Sequence, residues 1–435
     1  MALLETELKI VKVFELFTLN LGLPNYQRPY RWTAKSTNTL FQDIFEAFEN
    51  QLIEYRLGTV ILHKHNDHYD IVDGQQRLTT LAILLFSLGH KDSGLLESKY
   101  NALSYGSIQS NCGILKRRIN DTKKENDQSE LKDFILNHCS FVQIVTDNEQ
   151  DAFQFFDSQN SRGKELAPHD LLKSYHLREM KDEGNQFKVK IVNRWESLNS
   201  DDLEDLFKNY IFPLVQWYRG YDGLGYSTKK IDSFKGIRES STTNHAFYHK
   251  ASHLYVEQFN GIGNREFIGA TKINEFQLTQ PLIAGKRFFL YTDHYGQLLE
   301  TIQDLIKTFH SAEEIPEKRS GDIYIKQLYE CALLFYIDRF GIKTLNKSVY
   351  NFFYTWSYSL RLVMKAVYPE TINKYALGMH EKINNGISAF KLMSEMADPE
   401  GLNLILLQKP EVPDENKEKY IFIWDAIQKR NGWEV

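Results

Sequence analysis

Ile71-Val72-Asp73-Gly74-Gln75-Gln76-Arg77-Leu78-Thr79-Thr80-Leu81 decides how the N-terminal part of this chain is read. An apolar strand, Tyr69 to Val72, runs into a sharp polar turn, and the turn opens a helix that is apolar from Leu78 to Leu88. A helix start leaves backbone N–H groups unpaired and carries partial positive charge, so it attracts anions such as phosphate. Gly74 permits close backbone approach, and Arg77 supplies a guanidinium fork suited to phosphate oxygens. Asp73 is placed to cap the helix or to engage a metal or a ribose. The same residues also fit a capped turn with no ligand, and the stretch alone leaves these two readings level.

Upstream, Gly58 to His63 reads as a strand that pairs with Tyr69 to Val72 around the turn Asn66-Asp67-His68. Thr37 to Glu54 reads as a helix with Leu40, Ile44, Phe48 and Leu52 on one stripe. Before it lies Leu23 to Trp32, where Pro24 and Pro29 enforce extended geometry. Its run Tyr26-Gln27-Arg28-Pro29-Tyr30-Arg31-Trp32 packs aromatic faces and guanidinium planes suited to stacking on a base, beside an amide that can read an edge.

Downstream, the chain is polar to Asn111, then charged and helical to about Cys139, and Phe141 to Val145 alternates like a short strand. Helix starts follow at Asp151 to Phe156 and Leu166 to Arg178, separated by a polar turn that holds Asn160 and Arg162. Asn160 reads as a helix C-cap or as a metal or ribose contact, and Arg162 as a phosphate contact. From about Lys188 the periodicity is helical, with long helices at Tyr324 to Phe340 and Val349 to Val367 and an exposed loop from Gly220 to Ser241. The expected organisation is an α+β domain over residues 1–182, with a helical insertion at about 90–140, followed by a mainly α-helical domain over 183–435.

Composition narrows the function classes. The 435 residues are 42% apolar and 25% charged, as in a globular protein. No apolar run approaches the roughly 18–20 residues that cross a membrane, and Met1 to Glu15 lacks a signal pattern, so a cytoplasmic protein without membrane contact is expected. Three scattered cysteines, Cys112, Cys139 and Cys331, fit neither a disulfide framework nor a zinc site. A net charge of −5 confines any nucleic-acid contact to local clusters, of which there are two: Lys116, Arg117, Arg118, Lys123 and Lys124, and Lys229, Lys230, Lys235 and Arg238. His63, His65 and His68 read as exposed hairpin histidines, and Asp293-His294 as a pair flanking a helix. A Walker-type loop, His-Glu-x-x-His and Gly-x-Ser-x-Gly are all missing.

Three clusters in this order resemble the N-terminal domain family of GmrSD-type modification-dependent restriction systems, whose fold is related to ParB and sulfiredoxin. The matching stretches are Pro24 to Trp32, Ile71 to Leu81 and Asn160 to Lys173, covering roughly residues 8–180. The resemblance implies a ParB/sulfiredoxin-like domain that binds a nucleoside triphosphate with Mg2+ and hydrolyses it in defence against phage or other foreign DNA. By the same resemblance, Asp73, Gln75, Gln76 and Arg77 carry the chemistry, with either glutamine able to position a water or donate to phosphate. Tyr26, Gln27, Arg28, Gly74, Thr79, Asn160 and Arg162 line the nucleotide, and no residue is assigned to the metal. Expected partners are DNA, modified or from phage, and a separate nuclease subunit, since the HNH-type nuclease of the family is not recognisable here; self-association is left open. A non-catalytic DNA-recognition or scaffold subunit is the rival reading, and a nicking nuclease the third.

Overall fold

The computed structural model describes residues 7–24, 27–90, 94–121, 125–147, 151–152, 155, 167–180, 184–261, 272–380, 383 and 386–433. Strand β1 (Glu7–Lys12), the short helix α1 (Val13–Phe17) and β2 (Leu21–Gly22) come first. Thr33 then caps α2 (Ala34–Glu49) by accepting from the Ser36 N–H, and Leu40, Phe41, Ile44 and Ala47 are buried at helical spacing. This helix is shorter than its apolar stripe suggests. It stops at Asn50, Gln51 turns with φ 52°, and Leu52 lies beyond the end, 44% exposed.

β3 (Tyr55–His65) and β4 (His68–Asp73) form the expected antiparallel hairpin, with Asn66 taking the left-handed turn position at φ 56°. The apolar helix α3 (Gln75–Ser87) follows directly, then α4 (Tyr105–Asp121), α5 (Glu125–Asn137) and β5 (Cys139–Thr146). The strands make one mixed sheet in the order β1-β5-β3-β4-β2. β5 is antiparallel to β1 and parallel to β3, while β4 is antiparallel to β3 and parallel to β2. The sequence pattern gives Phe141 to Val145 as a short alternating strand. Because it is an interior strand covered on both faces, every residue except Val142 is buried.

One face of the sheet holds the main core, where Val60, Leu62 and Ile71 meet Ile44 of α2, Leu81 of α3 and Ile135 of α5. The insertion between α3 and β5 is therefore part of this core, with Leu115 and Ile119 of α4 also buried in it. On the opposite face Ile61, Val72 and Ile144 pack with Ala152 and Phe155.

Packing divides the chain into two units, Met1–Leu166 with Lys181–Ser197, and Ala167–Met180 with Leu198–Val435. Helix α6 (Pro168–Glu179) thus belongs to the second unit and α7 (Asn185–Ser197) to the first. α7 is fastened by Asn101 Nδ2, which donates to Asn193 Oδ1 at 2.6 Å.

The second unit is mainly helical, and its long members are α8 (Asn244–Asn260), α9 (Lys286–Phe309), α10 (Ser320–Phe340), α11 (Lys347–Val363) and α12 (Ile421–Asn431). Among the described residues its β structure is one isolated bridge, Ile237 to Ile283. Asp322, Glu330 and Asp338 of α10 are buried, and each has a partner: Arg361 at 2.7 Å, Tyr210 at 2.7 Å and Tyr295 at 2.6 Å. Two expectations need correction. The stretch Gly220 to Ser241 is not simply an exposed loop, because Tyr226, Ile231 and Phe234 are buried and the Phe234 carbonyl meets His176 Nε2 at 3.0 Å. Asp293-His294 flanks no helix end; it lies inside α9. No helix of the described residues is long and apolar enough to cross a membrane.

Candidate active site at the strand-to-helix turn

β4 ends at Asp73, and Gly74 then adopts φ 95° as the N-cap position of α3. That backbone conformation favours glycine, and it moves Asp73 out of the capping role expected for it. The helix start has no side-chain cap, while the Asp73 carboxylate accepts from the Gly74 N–H. Burial pushes the Asp73 carboxyl above the ordinary carboxylate range, and the Gly74 N–H, Arg77 and Arg28 pull it back toward ionisation. Two guanidiniums from segments far apart in sequence therefore act on one carboxylate.

Arg77 is held from below. Its Nη1 donates to the Thr59 carbonyl at 3.3 Å, and a Cβ on Gly58 would lie 2.8 Å from that same nitrogen. Gly58 has φ 112° and sits where the β3–β5 register shifts between Arg56 and Thr59. A bulge thus makes the room that the guanidinium occupies.

The segment from Gln27 to Trp32 lies directly against this turn. Gln27 Nε2 donates to the carbonyls of both Ile71 and Val72 at 2.8 Å. Gln76 Nε2 donates to the Pro29 carbonyl at 3.0 Å, and Gln76 Oε1 accepts from the Arg31 N–H at 2.8 Å. Tyr30 is fully buried, with its hydroxyl 2.7 Å from Thr80 Oγ1 and accepting from Asn111 Nδ2 at 2.9 Å. The structure thus brings together Gln27, Arg28, Asp73, Gly74 and Arg77.

Several of the other expected site residues face inward. Both ends of the Gln76 amide fasten backbone, and Gln75 is buried with Oε1 accepting from Gln76 Nε2 at 3.2 Å. Thr79 is fully buried against the Tyr100 hydroxyl at 3.2 Å, which leaves it no surface for a ligand. Tyr30 and Trp32 offer no stacking platform of the expected kind: Tyr30 is core, and Trp32 packs half-buried against that core. Arg31 donates to the Glu196 carbonyl on α7 at 2.6 Å. Tyr26, Asn160 and Arg162 lie outside the described residues. Ala152 and Phe155, which precede Asn160, pack against Val72 next to Asp73.

The basic clusters make internal contacts. Arg118 donates to Gln42 and lies over the Phe41 ring, and Arg117 donates to the Gly113 carbonyl. Lys230 donates to the Leu224 carbonyl, and Lys235 pairs with Asp232 at 2.7 Å. Lys123 and Lys124 lie outside the described residues. Gly58, Thr59 and Asn111 were missed from sequence. Only Gly58 left a trace, as a glycine inside a strand pattern.

Residues 11–177 match the family model for the GmrSD restriction endonuclease, N-terminal domain, and residues 187–421 match a family of unknown function, DUF7834. The chain belongs to the DUF7834 family, whose model spans more than half of it, and its residues 11–177 are a GmrSD-type N-terminal domain, which makes it a component of a GmrSD-type restriction system. No curated protein matches it.

Proposed function

We propose that this chain is the nucleotide-binding and nucleotide-hydrolysing subunit of a restriction system that senses modified or phage DNA and passes cleavage to a partner nuclease. One observation carries the reading: Arg77 and Arg28 bear on a half-buried carboxylate at an uncapped helix start. Backbone N–H groups, a helix dipole and two guanidiniums form a phosphate-binding arrangement. A single carboxylate among them suits Mg2+, which takes one or two protein carboxylates and completes its shell with water and phosphate oxygens. Asp73 is the residue that would hold this ion. When bound, Mg2+ neutralises charge on the transferred phosphoryl group.

The remaining work belongs to the chain. Arg77, pinned on the Thr59 carbonyl, presents its other nitrogens to phosphate without reorganising, which is what transition-state stabilisation requires. Arg28 is exposed and acts electrostatically on the same carboxylate. Gln27 and Gln76 hold the Arg28 segment against the turn. With both ends of Gln76 engaged in that fastening, water positioning falls to groups other than Gln76.

The test is phosphate release from each of the four nucleoside triphosphates, with and without modified and unmodified DNA. Release from at least one of them supports the proposal. Nucleotide binding without release, even with DNA and a partner nuclease present, transfers the assignment to a non-catalytic recognition or scaffold subunit.

A further inference from the structure

The turn end of the β3–β4 hairpin carries His63, His65 and His68 within six positions. Strand alternation sends His63 and His65 to one face, and the register pairs His65 with His68 and His63 with Asp70 across the ladder. All four side chains therefore share a face. The ligand-capable atoms of His65, His68 and Asp70 lie within 4.8 Å of one another. His65 Nε2 is 2.8 Å from Asp70 Oδ2, His68 Nε2 is 3.3 Å from Asp70 Oδ1, and the two rings are 5.0 Å apart.

The neighbouring strand is shaped around this group. Gly22 of β2 pairs with Asp70, and a Cβ there would collide with the His68 ring and crowd Asp70 Oδ1 at 3.3 Å. The φ of Gly22 is not in the left-handed region, so its backbone does not demand glycine; the space for His68 does. The side chains of His65 and His68 are 46% and 36% exposed, open to an arriving ion, whereas that of Asp70 is only 18% exposed.

We propose that His65, His68 and Asp70 form a site for a divalent transition-metal ion of the zinc class, which clamps the hairpin turn beside β2. Two imidazoles and one carboxylate are a three-ligand set that leaves positions open for water. Nitrogen ligation suits zinc-class ions and disfavours Mg2+, which takes oxygen donors. The site is thus chemically distinct from the phosphate arrangement at Asp73. Binding needs both Nε2 atoms unprotonated and the Asp70 carboxylate turned to offer one oxygen to the ion.

Metal-stripped full-length protein is titrated with Zn2+ against a chromophoric chelator, and separately with Co2+ followed by visible absorption. One Zn2+ equivalent is expected, with no competition from excess Mg2+. His65→Gln, His68→Gln and Asp70→Asn should each weaken it by more than the about 10- to 100-fold that a change around the ligands produces. Gly22→Ala keeps all three ligands but displaces His68, and should weaken binding as well. His245→Gln/His249→Gln, which removes a separate histidine pair with rings 4.6 Å apart on α8, should leave the affinity unchanged. The proposal is overturned if the parent holds Zn2+ no more tightly than the His65→Gln/His68→Gln protein, or if His245 and His249 set the affinity. A Co2+ spectrum of the parent like that of the hydrated ion overturns it without any variant.

Discussion

Replacing Gln76 with leucine tests whether the segment Gln27 to Trp32 is fastened to the strand-to-helix turn by one buried amide. Leucine keeps the approximate volume but removes the acceptor for the Arg31 N–H at 2.8 Å and the donor to the Pro29 carbonyl at 3.0 Å. Gln76 is 8% exposed, so water reaches the two orphaned backbone groups only if the segment lifts. Each buried group left unpaired costs about 1–3 kcal/mol. Lifting becomes easier by at least one such penalty, which corresponds to an opening equilibrium about 5- to 150-fold larger. Hydrogen exchange of the peptide containing Arg31 reads this directly, since its amide exchanges through that opening. Gln75→Leu, which removes only the 3.2 Å contact with Gln76, should raise the exchange much less. Unchanged Arg31 protection in Gln76→Leu, or an equal effect from Gln75→Leu, would refute the fastening role.

Gly58→Ala should introduce about 1–3 kcal/mol of backbone strain at φ 112°. It should also push Arg77 off the Thr59 carbonyl, so saturated nucleotide turnover should fall in a phosphate-release assay, whereas Gly89→Ala, where a Cβ meets nothing within 4 Å, should spare turnover. Burial raises the Asp338 carboxyl to about 7 despite hydrogen bonds from Tyr295 and the Leu278 N–H. A folded-state value above the unfolded one means that this group's stabilisation is full below the unfolded carboxylate range and is lost as pH rises through about 7. The melting-temperature difference between Asp338→Asn and parent should therefore shift in favour of the variant between pH 5 and pH 8 (about the span of that titration); a flat difference contradicts it. Asp322→Ala leaves Arg361 buried without its 2.7 Å partner and should cost about 3–5 kcal/mol in denaturant unfolding of the helical unit.

Much of the site's backbone was legible because its signals are local. Apolar alternation into Asp73-Gly74, then continuous apolar residues, specifies a strand, a turn and a buried helix with little other solution. What a single pattern cannot carry is which side of an element a polar residue faces. Gln76, Thr79 and Tyr30 look like ligand-binding chemistry in one dimension, yet each is turned inward by a partner far away in sequence: Pro29 and Arg31, Tyr100, and Thr80 with Asn111. Asp73 shows the reverse. As an N-cap it would have been structural, but the left-handed Gly74 takes that position and leaves its carboxylate to Arg77 and Arg28. The stretch Gly220 to Ser241 reads as a loop for a related reason, because scattered glycines and serines mask three buried side chains, Tyr226, Ile231 and Phe234. The placement of α7 in the first unit depends on contacts such as Asn101 to Asn193, which leave no periodic trace.

Whether Asp73 and Arg77 act on a nucleoside triphosphate at this turn is decided by paired measurements of nucleotide affinity and saturated turnover for Arg77→Ala and Asp73→Asn. Asp73→Asn removes a half-buried charge and keeps the shape, so the protein should remain folded while turnover collapses. Arg77→Ala should lower saturated turnover far more than affinity if, as proposed, its anchored guanidinium meets charge that develops in the transition state. Folded variants that bind and hydrolyse nucleotide like the parent would place nucleotide chemistry away from this turn.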